Sequence, residues 1–164
     1  MSNTPKARTI KANYILQAKV GSGPLDARRV EACQNVIDNN TVDFAPMAQQ
    51  YLDQLKTAID KAKTHDIDLQ QAVNEMTRPV MELKANAALF RYDLIGNLAS
   101  VMLSFLEAVK NLDATVIQIV EAHHQTLSAI IFKQMTGDGG AHGKQLEMEL
   151  RDACKRYFNS KRGA

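Results

Sequence analysis

Three observations predict an all-α protein. Ala, Leu, Gln, Met, Lys and Glu are abundant, aromatics are few and Trp is absent, a balance that favours helix over sheet. Apolar residues recur at spacings of three and four along most of the chain. Asp, Asn and Gly interrupt those runs where helix caps and stops are needed. With 164 residues the chain can bury a self-sufficient core, and no shift in composition divides it, so a single domain is expected.

Taken in order, Met1 to about Lys11 is polar. Tyr14, Leu16, Ala18 and Val20 then alternate with more polar neighbours, so residues 1–20 are expected to be a mobile or extended arm. Gly21-Ser22-Gly23-Pro24 breaks the chain, and Asp26 can N-cap a helix to about Asp38. After Asn39-Asn40-Thr41, Asp43 can cap a second helix, on which Phe44, Met47, Ala48, Tyr51, Leu52, Leu55 and Ile59 form one stripe. Beyond Thr64-His65-Asp66 a long pattern carries Val73, Met76, Val80, Leu83 and Ala87. Pro79 lies inside it, and its missing N–H and its ring predict a kink or a restart there.

Phe90-Arg91-Tyr92 should close that helix and Asp93 cap the next, with Leu94, Leu98, Val101, Met102, Phe105, Leu106 and Val109 as a broad apolar face. Asp113 starts another, with Val116, Val120, His123, Leu127, Ile130 and Ile131 along one side. The glycine tract at 137–143 should end it, and Lys144 to Phe158 reads as the last helix. Short loops between long amphipathic segments imply antiparallel neighbours. The expected architecture is an antiparallel up-down four-helix bundle over residues 21–158 with an additional N-terminal helix, followed by a disordered basic tail at 159–164.

The charge is uneven. Residues 1–40 carry six Lys/Arg against three Asp/Glu, residues 41–135 eight against eleven, and residues 136–164 six against four. Lys6, Arg8, Lys11, Lys155, Arg156, Lys161 and Arg162 could contact phosphates, but no basic helix with base-reading side chains or stacking platform accompanies them, so no nucleic-acid partner is expected. No run approaches the roughly 18 apolar residues of a membrane span. Cys33 and Cys154 lack Cys-x-x-Cys spacing and follow no secretory leader, which fits a reducing cytoplasm and small packing roles.

Other chemistries lack their patterns. Without a His-x-x-x-His or Cys-x-x-Cys pair, no metal and no cofactor are expected. Gly21-x-Gly23-x-x-Asp26 lacks the third glycine of a dinucleotide fingerprint, and no β-α-β pattern follows it. In Gly137-Asp138-Gly139-Gly140-Ala141-His142-Gly143-Lys144 the first glycine of a phosphate loop would be Asp138, and Gln145 replaces its Ser or Thr. That tract reads as a helix stop and linker. No nucleophile-elbow sequence supports a Ser/His/Asp triad.

The stretch from Met81 to Tyr92, with Glu82, Leu83, Lys84 and Ala85 at its start, resembles the His-x-x-Lys-Gly motif of histidine phosphotransfer (HPt) domains. Val20 to Asp26, Ala122-His123 and Thr136 to Gly143 resemble flanking segments of HPt-like, chemotaxis-associated proteins of the alphaproteobacterial type, so the resemblance spans about residues 19–157. It implies an HPt-like bundle and a cytoplasmic role in two-component signalling, with Met81 at the phosphoacceptor position. Phe90 stands where the family has an aromatic before a glycine turn, and Arg91 replaces that glycine.

Relay through histidine needs an exposed imidazole that attacks an aspartyl phosphate in line, with a nearby cation to offset charge. A thioether cannot form a phosphoramidate. The resemblance therefore implies a pseudo-phosphotransfer protein, not an enzyme, whose face of Lys84, Ala85, Ala88 and Phe90 around Met81 docks a response-regulator receiver domain. Three alternatives stand beside it. Met81, Lys84 and Ala88 can be ordinary helix residues; His123 or His124 can have taken over phosphotransfer; or the bundle can be purely structural or oligomerising. Adjacent helix positions diverge by about 100°, so at most one of the two histidines shares a partner-facing surface. His65 falls in a linker and His142 in the glycine tract.

Overall fold

The computed structural model describes residues 14–20, 23–24, 26–39, 42–64 and 67–162. The polar start through Asn13, the Gly21-Ser22 break, Asn40-Thr41 and His65-Asp66 lie outside the described residues. The protein is all-α, and the described residues contain seven α-helices and one 3-10 turn. Two compact units divide the chain, Met1–Asn40 and Thr41–Ala164.

The first unit holds α1 (Ile15–Val20) and α2 (Ala27–Asp38). Where alternation predicts an extended segment, α1 is helical. Four alternating positions are too few to separate the two periods. Asp26 caps α2 as expected, its carboxylate accepting from the Arg28 N–H at 3.0 Å. No residue of α2 is buried.

The second unit holds α3 (Ala45–Lys63), α4 (Leu69–Ala87), α5 (Asp93–Ala108), α6 (Ala114–Phe132) and α7 (Gly140–Arg162). Helix α3 packs on α4 and α6, α4 on α5, α5 on α6, and α7 lies against α5 and α6. Half of the sixteen residues of α5 are buried, which makes it the central element. Leu55, Ile59, Met76, Val80, Met102 and Phe105 lie in one core cluster, and Phe44, Leu52, Leu83, Leu98 and Leu127 in a second. Each such side chain stabilises the fold by about 1.5–3 kcal/mol on burial.

Caps account for most helix starts. Asp68 accepts from the Gln71 N–H at 2.8 Å and Asp113 from the Val116 N–H at 2.9 Å. Asp43 accepts from the Ala45 N–H at 2.9 Å, although the cap position of α3 is Phe44. Likewise Tyr92 occupies the cap position of α5 and Asp93 its first turn, where a carboxylate still complements the helix dipole. Pro79 neither ends nor restarts α4, which runs unbroken from Leu69 to Ala87 with Pro79 buried in it. Packing offsets the missing donor to the Glu75 carbonyl. Helix α7 begins within the glycine tract and continues to Arg162, so residues 159–162 are helical where a disordered tail is expected.

The turn after α4 is a 3-10 turn, Ala88–Phe90, closed by Arg91 in the left-handed region at φ 60°. That conformation costs a residue bearing Cβ about 1–2 kcal/mol. Arg91→Gly is therefore expected to raise stability by about 0.5–1 kcal/mol after the unfolded-state entropy of glycine is deducted, read as a higher urea midpoint. The Arg91 carbonyl accepts from the Gly137 N–H, and the Leu94 N–H donates to the Gly137 carbonyl at 2.9 Å. These bonds stitch the α4–α5 turn to the α6–α7 connection.

Candidate functional site

Helix α4 presents a distinct outward face. Ala72, Met76, Val80, Leu83 and Ala87 are buried along one side, and at about 100° per residue position 81 falls opposite them. Met81 is 56% exposed and Leu89, just past the helix end, 52% exposed. Ala85 and Ala88 are exposed between them, so Met81, Ala85, Ala88 and Leu89 form an apolar strip with 4, 3, 1 spacing. Lys84 is exposed in the last turn, where an ammonium also suits the helix C-terminus. The strip is narrow, flanked by Lys84 and by exposed Glu82.

Phe90 does not join this strip. Its half-buried ring stacks on Phe44 with centroids 4.9 Å apart and planes at 11°, and Phe44 also meets Tyr92 at 5.3 Å. The ring is committed to the core cluster because the 3-10 turn rotates it off the outward face. Leu89 supplies the large apolar group instead. Sequence reasoning missed it because Leu89 lies past the periodic pattern.

The two adjacent histidines are held differently. His123 is fully buried on α6, one turn from Val120 and one turn from Leu127, which belong to different core clusters. Its Nδ1 lies 2.9 Å from the Ile119 carbonyl, and so carries the proton, while Nε2 is buried without a hydrogen-bond partner. Burial lowers its pKa, only partly offset by the Ile119 carbonyl. His124 is half-buried, and its Nε2 donates to the Leu52 carbonyl at 3.1 Å, tying α6 to α3. Burial lowers its pKa as well, against the opposing effect of that carbonyl. Phosphotransfer by His123 would need the core to open, and by His124 at Nε2 the loss of this tie.

Ion pairs tie neighbouring helices together. Lys61 meets Glu75 at 2.9 Å between α3 and α4, and Lys63 meets Glu121 between α3 and α6. Asp113 accepts from Tyr157 Oη at 3.2 Å and from Lys161 Nζ at 3.1 Å besides capping α6. Burial would raise its pKa, but the Val116 N–H, Lys161 and Tyr157 outweigh that and hold it below the usual value.

Among the described residues no group of His, Cys, Asp and Glu is arranged to hold a metal ion. Cys154 is buried, which pushes its thiol up to about 11, and Cys33 is exposed. The glycine tract is a helix start: Asp138 accepts from the Gly140 N–H at 2.9 Å, and His142 is exposed in the first turn of α7. No described helix is long and apolar enough to cross a membrane. No family model matches the chain, and neither a curated protein nor a solved structure matches it.

Proposed function

We propose that α3, α4, α5 and α6 form an antiparallel up-down four-helix bundle of the HPt-like kind, and that the outward face of α4 docks a response-regulator receiver domain. The protein then acts in the cytoplasm as a stoichiometric modulator, sequestering the receiver or competing with a genuine phosphotransferase. It relays no phosphoryl group. The observation that carries this reading is the exposure of Met81 on a helix face with Lys84 one turn away and only small side chains at positions 85 and 88. The contacts α3 to α4, α4 to α5, α5 to α6 and α6 to α3 support the bundle, and the short connections between them support antiparallel neighbours.

A receiver's phosphorylation site is acidic, so Lys84 supplies complementary charge while Met81 and Leu89 adapt to its surface. Titration of receiver domains is expected to find one whose affinity falls about tenfold with Lys84→Glu, equivalent to about 1.4 kcal/mol, and falls again with Met81→Asp. Incubation with the phosphorylated receiver should leave no acid-labile label on the protein. Equal binding by wild type and Lys84→Glu, or label on the chain, would overturn the proposal. Phe132, 87% exposed, favours a second reading as an oligomerising bundle. Sedimentation giving a dimer that Phe132→Ser dissociates would select it.

A further inference from the structure

Independently of the α4 face, a cleft of about 790 Å³ opens beside the C-terminal ends of α5 and α7, with Lys110, Lys155 and Lys161 among its lining residues and Tyr157 and Phe158 forming an aromatic wall. Its size falls within the range of small-molecule sites. Among the described residues no carboxylate lines it. We infer that this cleft binds a small planar aromatic monoanion, of the aryl carboxylate or aryl sulfonate class.

The charge sets the anion. Lys161 is paired with Asp113 at 3.1 Å, and Lys155 with Asp152 at 3.0 Å on the neighbouring turn. Lys110, exposed on the α5–α6 connection, makes no ion pair or hydrogen bond among the described residues. Three ammonium groups against two carboxylates leave one positive charge. The C-termini of α5 and α7 both end nearby, and their carbonyl dipoles oppose any larger negative charge. A polyphosphate is thereby disfavoured, while a single carboxylate or sulfonate is matched.

The aromatic wall sets the rest. Phe158 meets Tyr157 edge-on with centroids at 5.3 Å and Phe105 at 5.5 Å, so its ring is braced from the core side while remaining only half-buried. A braced ring is a platform on which a planar ligand stacks without further ordering cost. Asn111 and Asn159 also line the cleft. Their amides make no hydrogen bond within the described residues, which leaves them to polar substituents on the ligand. The sequence placed Lys155 and Lys161 only in a basic end; their convergence with Lys110, some 45 to 51 residues away, is a product of the fold.

The test uses the full chain and 8-anilinonaphthalene-1-sulfonate, a fluorescent aryl sulfonate. One probe per chain is expected to bind, to be displaced by benzoate, and to shift the backbone amide resonances of Asn111, Phe158 and Asn159. Lys110→Glu should weaken it about tenfold or more and Lys110→Gln by less, with the circular dichroism and melting temperature of both variants unchanged. Lys133→Glu, at the far end of α6, should have no effect. The uncharged analogue N-phenyl-1-naphthylamine should bind without regard to residue 110. Equal sulfonate affinity in wild type and both Lys110 variants, several probes per chain, or resonance shifts confined to other residues would each overturn the inference.

Discussion

Gly143→Ala is expected to destabilise the protein by about 3 kcal/mol and to lower its melting temperature by roughly 10 °C. Intrinsic propensity points the other way, since Ala within a helix is favoured over Gly by about 1 kcal/mol. Packing decides the sign. A Cβ at position 143 would overlap the Asp138 carbonyl oxygen and come within 3.2 Å of a Leu94 methyl. Neither neighbour can step aside, because Asp138 contributes backbone and Leu94 is buried. The Gly143 N–H also donates to the Gly139 carbonyl at 2.9 Å, which holds the two segments at this separation. Gly140→Ala is the control. Nothing lies within 4 Å of its Cβ position and only its φ of 58° resists substitution, so it should cost about 1 kcal/mol. Urea denaturation of the two variants side by side measures both. A Gly143→Ala protein as stable as wild type would show that the close approach of α7 to the 138–139 backbone is absent in solution.

The same glycines mark where the sequence was legible and where it was not. Helices α3 to α6 could be read because their apolar spacing, and an Asp at or beside each start, are local signals that the tertiary structure keeps, although only α4 and α6 are capped by the Asp itself. The helix expected after Thr64-His65-Asp66 starts at Leu69, capped by Asp68, a residue the sequence reading did not single out. The start of α7 could not be read, because Gly140 and Gly143 are poor helix formers, and the reasons for them, a positive φ at Gly140 and a close approach to Leu94 and Asp138 at Gly143, are set by the fold. Of the kink or restart expected at Pro79 the restart does not occur, because α4 runs on through it with the residue buried. The exposure of Met81 was left open by the sequence, because a stripe through Met76, Val80, Leu83 and Ala87 turns position 81 away from the core but does not say what else covers it. Leu89 is exposed and Phe90 half-buried because a single 3-10 turn rotates side chains by an amount no periodicity encodes.

Stability is expected to fall as the pH drops below about 6.5, and His123 to carry much of that loss. Burial lowers its pKa in the folded protein, whereas in the unfolded chain the imidazole titrates near its ordinary value of about 6.5. Below that value the unfolded chain takes up a proton that the folded protein refuses, and the equilibrium shifts toward unfolding. The contribution is therefore fully present above the unfolded pKa. As the pH falls from there to the depressed folded value it is lost, by up to about 1.4 kcal/mol per pH unit. The physical cause is Nε2: protonation would place a charged N–H donor where no acceptor exists, a costly state in an apolar interior. His123→Leu should flatten the slope between pH 7 and pH 5. At pH 7.5 it should alter stability by only about 1 kcal/mol, the worth of the lost Nδ1 bond, since the Ile119 carbonyl keeps its helical partner. Asp113 and Glu75 have lowered pKa values and titrate below this window, and His124 remains in both proteins, so the difference between the two slopes isolates one imidazole. Identical slopes for wild type and His123→Leu would mean that the ring reaches water in the native state, and with it that the joint between the two core clusters opens.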